Sequence, residues 1–263
     1  MARAAEFQFD SKKTFPNLPS APIVEAVIHW RARATGTWEP DALKKELTTR
    51  LPEYVKCEPQ RLLHVHAEID AEGSKTQMGR DSFVGYRLTS ANSLQIAQFN
   101  RDGLVFSRLK PYGEWESFSV EGLRLWQMFL DLAGPSEVER LGVRFINLVP
   151  LKQVVDIGKV LAKPPRCLDA LGLPLSSFFY QSTYEVPRHR YGIKVNQTIQ
   201  PPTPPDNGEF QLILDIDAFT KEPFDCKDAI LHEHLPKMRF LKDEAFFSLL
   251  RPKAIEAFKK EQK

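Results

Sequence analysis

From Ile23 the side chains separate by parity. Val24, Ala26, Ile28, Trp30 and Ala32 are apolar, and Glu25, His29, Arg31 and Arg33 fall between them. Successive residues of a β-strand point to opposite faces, so this is a strand over 23–33 with one buried and one charged surface. Pro16, Pro19 and Pro22 each lack an N–H and fix φ, which makes residues 15–22 an extended arm leading into it. A chain that carries such a strand needs a sheet beside it and cover for the apolar face.

The rest of the chain supplies both. Pro40 opens a helix in which Leu43, Leu47 and Leu51 recur every four residues, and Pro52 closes it. Leu62–Ile69 and Phe83–Thr89 alternate as strands, with turn-rich sequence expected from Asp70 to Asp81. Leu94–Phe99 and Leu104–Leu109 flank Asn100-Arg-Asp-Gly103, a strong hairpin signal. Ser119 is the expected N-cap of a helix whose stripe is Val120, Leu123, Trp126 and Leu130, and Gly134-Pro135 stops it. Leu141–Val149 is the next strand, carrying Asn147 on its apolar face.

Residues 150–176 hold at most a short helix near Val154–Leu161. Phe178–Val186, Tyr191–Ile199 and Phe210–Phe219 read as a three-stranded meander whose second connection is the stiff loop Pro201–Gly208. Ala229–Leu250 is helical, with a kink or late start expected at Pro236, and a final helix covers Pro252–Lys259. The predicted fold class is α+β, a mainly antiparallel sheet built from two unequal strand-rich halves and backed by helices. The expected layout is a flexible tail over 1–14, a first half over 15–150, a connector over 151–176 and a second half over 177–263, forming one compact unit.

Composition narrows the function classes. The longest apolar runs fall far short of the roughly 20 residues of a bilayer span, and residues 1–14 lack a secretion signal's apolar centre. No membrane is expected as a partner, and the cytoplasm is the expected compartment. Cys57, Cys167 and Cys226 are odd in number and widely spaced, which disfavours a disulfide framework or structural zinc. A net charge of +2 implies no nucleic-acid partner by itself, so such a site would need a local patch.

Few motifs carry chemistry. His64-x-His66-x-Glu68 puts three metal-ligand types on one strand face, and Glu25 and His29 are expected one strand away. The plainer reading is the polar outer face of an amphipathic strand. His232-Glu-His234 is weaker, since i and i+2 on a helix diverge. Asp215 and Asp217 form a carboxylate pair on one face of their strand, read first as a solvated face. Arg31, Arg33, Arg188 and Arg190, with Lys259-Lys260 and the aromatics Tyr184 and Tyr191, are the candidate nucleic-acid-binding set. There is no nucleophile elbow, phosphate loop or dinucleotide fingerprint. No catalytic residue and no cofactor are assigned.

Pro16-x-Leu-Pro-x-Ala-Pro-Ile-Val-Glu-Ala-Val-Ile28 resembles the opening signature of a sporadically distributed family of uncharacterised prokaryotic proteins of similar length. Arg140-Leu-Gly-Val-Arg-Phe-Ile-Asn147 and the Phe-rich stretch Phe240–Phe258 are similar to later segments of that family. The resemblance implies an accessory distribution like that of genes in mobile or defence loci. It implies no catalytic residues. The first functional expectation is therefore a non-enzymatic protein that binds another, nearby-encoded protein, as an antitoxin or defence-complex subunit would. The alternatives are a ligand- or nucleic-acid-binding module and a metal-dependent hydrolase centred on His64, His66 and Glu68.

Overall fold

The computed structural model describes residues 7–10, 12–70, 73–165, 172–173, 175–202 and 208–260, and of residues 63–70, 73–80, 155, 228 and 229 the backbone alone. The elements run β1 (Ile23–Arg31), α1 (Pro40–Arg50), β2 (Lys56–Asp70), β3 (Gly73–Thr89), β4 (Gln95–Asn100), β5 (Gly103–Leu109) and α2 (Trp115–Ala133). They continue with β6 (Arg140–Leu151), a 3₁₀ turn at Val154–Asp156, α3 (Ile157–Val160), β7 (Phe179–Glu185), β8 (Tyr191–Gln200), β9 (Phe210–Thr220), α4 (Asp228–Leu249) and α5 (Pro252–Phe258).

Among the described residues nine strands form one sheet in the order β2-β3-β4-β5-β1-β6-β9-β8-β7. Every neighbouring pair is antiparallel. The two halves wind alike. Each begins with a central strand, β1 or β6, and its last strand, β5 or β9, returns beside it. The central strands pair with each other, Ile28 opposite Val143 and Arg31 opposite Arg140, so the sheet runs through both halves without a break.

The helices share one face because the apolar parity of every central strand points there. Ala26, Ile28, Trp30 and Ala32 of the β1 segment are all fully buried, as the alternation predicts. Trp30 stacks on Trp126 of α2 at 5.5 Å, and Trp126 stacks on Phe129 at 5.4 Å. Gly122 lets α2 come this close, for a Cβ there would stand 3.0 Å from Ile28 and 3.2 Å from Trp30. A second cluster gathers Val149, Leu212, Leu214 and Ile216 under Phe246 and Leu250, near the end of α4. The aromatic arm lies on α4 as well, with Phe9 5.7 Å from Phe240 and Phe15 stacked on Phe247 at 5.4 Å.

Three local expectations need correction. β3 starts at Gly73, so most of the segment read as turn is strand; its ladder to β2 supplies the backbone hydrogen bonds that the polar side chains do not advertise. α2 starts at Trp115, and Ser119 is no cap: its hydroxyl donates to the Glu116 carbonyl inside the helix. Val120 is correspondingly 67% exposed, and the buried stripe is Phe118, Gly122, Leu125, Trp126 and Phe129. At the other end, α4 starts at Asp228, so Pro236 does not delay it and lies inside the helix. No helix among the described residues is long and apolar enough to cross a membrane.

Candidate functional site

Among the described residues no helix packs on the second face of the sheet, and the strands' polar parity points there. Register determines which residues meet on it. Asp215 and Asp217 sit on that face, opposite in parity to Leu212, Leu214 and Ile216, but they are not solvated. Only 6% and 7% of their surface is exposed, because arginines from β6 lie across them. Arg144 donates to both oxygens of Asp215 at 2.6 and 2.8 Å, and Asn196 of β8 adds a third bond at 2.9 Å. Arg140 donates to Asp217 at 2.6 Å. Burial pushes the Asp217 carboxyl up, against the downward pull of Arg140. The bond to Asp215 holds the Arg144 guanidinium more firmly protonated.

Two glycines make this arrangement possible. Phe219 of β9 lies between Gly142 of β6 and Gly192 of β8 in the same row. A Cβ on Gly192 would come within 2.6 Å of the Phe219 ring, and one on Gly142 within 2.6 Å of the Arg140 guanidinium. With both absent, the ring settles onto the sheet and Arg140 covers it at 4.8 Å, a cation–π contact.

One step towards the end of the sheet is a row of cations. Arg31 pairs with Arg140, and continuing the β6–β9 and β9–β8 registers puts Lys221 and Arg190 in the same row. The Lys221 N–H bonds the Arg190 carbonyl at 2.9 Å, which confirms the alignment. Four neighbouring strands thus contribute one basic residue each across about 14 Å, three strand spacings. Arg31, Glu139, Arg140, Phe219, Thr220 and Lys221 line an open depression of about 470 Å³ here.

Carboxylates attend these cations. Glu139 bridges Arg31 at 3.0 Å and Arg33 at 2.9 Å, Glu222 meets Arg190 at 3.0 Å, and Glu185 meets Lys221 at 3.0 Å. Arg31, Arg33 and Arg190 all keep more than half of their side-chain surface exposed. Exposed pairs of this kind contribute little, about 0–1 kcal/mol each, so the carboxylate can give way to another anion.

Of the arginines nominated from the sequence, Arg31 and Arg190 therefore share a row, although 159 positions separate them. Arg33 joins through Glu139, and Arg188 occupies the β7–β8 turn at φ 63°. The aromatics do not follow. Tyr191 is 3% exposed with its hydroxyl 2.6 Å from His234 Nδ1, and Tyr184 pairs with Ile193 on the helix-side parity. Strand parity could have found Arg140, which shares its face with Gly142 and Arg144. No local signal marks Lys221.

The metal hypothesis changes too. The backbone of His64, His66 and Glu68 belongs to β2, but their side chains lie outside the described residues. Glu25 and His29 are not one strand away: β5, β4 and β3 stand between β1 and β2. Among the described residues no group of three His, Cys, Asp or Glu side chains could hold a metal ion. Cys57 and Cys226 are free thiols that burial pushes up in pKa, and Cys167 lies outside the described residues.

His29 belongs instead to the polar face, where burial, followed by Arg140, lowers its pKa. Burial lowers that of His234 as well. Both are neutral in the folded chain at pH 7. Because the unfolded chain takes up these protons near pH 6.5, their stabilising effect is complete above that pH and is lost as pH falls towards the folded values. Urea midpoints should drop between pH 6.5 and 5, and the drop should be shallower in His29→Gln/His234→Gln. An identical pH slope in that variant would contradict the assignment.

A second cleft, about 650 Å³ between the arm and α4, has Phe9, Phe15, Phe240 and Arg239 among its walls. Its cations are spoken for: Lys13 pairs with Glu244, Lys237 with Glu233 and Arg239 with Glu116. No protein-family model matches this chain, and no curated protein matches it either.

Proposed function

We propose that the protein is a binding module for single-stranded nucleic acid, whose phosphate backbone lies along Arg190, Lys221, Arg140 and Arg31. One observation carries this reading: four cations from four separated positions in the sequence fall into one row at the ends of β8, β9, β6 and β1. Phosphates would displace the exposed carboxylates of Glu222 and Glu185 and the partly exposed one of Glu139, while Asp217 keeps Arg140 flat against Phe219. Contacts of this kind neutralise phosphates and release counterions without reading base identity. The accessory-component reading comes from the resemblance at Pro16–Ile28 and draws on no feature of the fold.

The test is fluorescence anisotropy with a labelled thymidine oligonucleotide of about 15 nucleotides, the upper range for one small binding surface. The unmodified chain should bind at low salt. Arg31→Glu/Arg190→Glu, which reverses both ends of the row at exposed positions, should weaken binding at least about tenfold, or about 1.4 kcal/mol, with an unchanged melting temperature. Equal affinity in the two proteins would overturn the reading.

A further inference from the structure

β7 is the outermost strand of the second half, and the other face of its backbone has no neighbour among the described residues. Six of its seven residues are exposed, among them Phe179 at 67%, Tyr180 at 51% and Tyr184 at 55%. Proteins usually protect such an edge with lysines, prolines or a bulge, since its open N–H and C=O groups are a template for another strand. Phe179-Tyr-Gln-Ser-Thr-Tyr-Glu185 has no lysine and no proline, and it pairs with β8 without a register shift.

We infer that β7 is a self-association surface on which a second copy of this chain pairs antiparallel about Ser182, joining the two sheets into one. The strand is nearly symmetric about that residue. Pairing places Tyr180 opposite the partner's Tyr184, Gln181 opposite the partner's Thr183 and Phe179 opposite the partner's Glu185. Aromatic and polar cross-strand pairs are favourable contacts at this spacing. Charge fits a copy as well: Glu185 is the only charged residue of β7, so no like charges meet. The contact is isologous and uses up the β7 edge of each copy, so through this strand it closes at the dimer.

Sedimentation velocity across the micromolar range tests this on the full chain. The unmodified protein should sediment as a reversible dimer of twice its 30.1 kDa mass, dissociating on dilution. Tyr180→Lys/Tyr184→Lys sets lysine against lysine twice and should be monomeric at the same concentrations, with an unchanged melting temperature. Tyr180→Glu/Tyr184→Glu should also be monomeric, and an equimolar mixture of the two variants should restore the dimer mass. Three results would overturn the inference: an unmodified chain that stays monomeric, which would leave the edge to a strand of a different protein; growth beyond the dimer with loading; or a mixture that stays monomeric.

Discussion

Trp30→Ala should cost about 3–5 kcal/mol, a large part of the 5–15 kcal/mol that holds a typical domain folded. Trp30 is fully buried at the centre of β1, where it starts the stack that continues through Trp126 and Phe129. Truncation would remove the contact on which α2 rests and leave a cavity under Gly122, in the middle of the sheet. The indole N–H adds nothing to hold it, since it has no hydrogen-bond partner among the described residues. Trp30→Phe, which keeps a six-membered ring in the stack and deletes that unpaired donor, should cost clearly less, about 1–3 kcal/mol. Urea unfolding of the two variants separates packing from hydrogen bonding. Equal costs would mean that the stack is not what secures β1.

Asp215→Ala should be the most damaging single change on the polar face, at about 1–3 kcal/mol. It removes two bonds from Arg144 and one from Asn196 at a position 6% exposed. Breaking a fully buried pair costs more, but the Arg144 side chain is 47% exposed and can recover water. Arg190→Ala, which removes a partner of Glu222 at a side chain 70% exposed, should stay within about 0.5 kcal/mol. If the two variants unfold at the same urea concentration, the Asp215 network is no more than a surface ion pair.

Much of the fold is legible locally. The alternation from Ile23, the Asp102-Gly103 hairpin, the left-handed Gly134 cap and the β7–β8–β9 meander each follow from a few neighbouring residues, and the structure contains all of them. What escapes is what neighbours do not encode. The first part of β3 is extended only because β2 pairs with it. Asp215 and Asp217 read as solvated because parity gives a face but not who crosses it, and Arg144 and Arg140 come from β6, more than 70 positions earlier. The cation row is of the same kind. Arg31 and Arg190 can be picked out as basic residues, but their alignment with Arg140 and Lys221 needs strand order and register, which no single stretch contains.

The salt dependence of oligonucleotide binding tests the central proposal most directly. With three to five of Arg31, Arg33, Arg140, Arg190 and Lys221 on phosphates, the logarithm of the association constant should fall with the logarithm of salt concentration with a slope of about −2 to −3.5. In Arg31→Glu/Arg190→Glu the slope should be shallower by about one unit or more. A slope near zero in the unmodified protein, or the same slope in both, would show that no phosphate lies along this row.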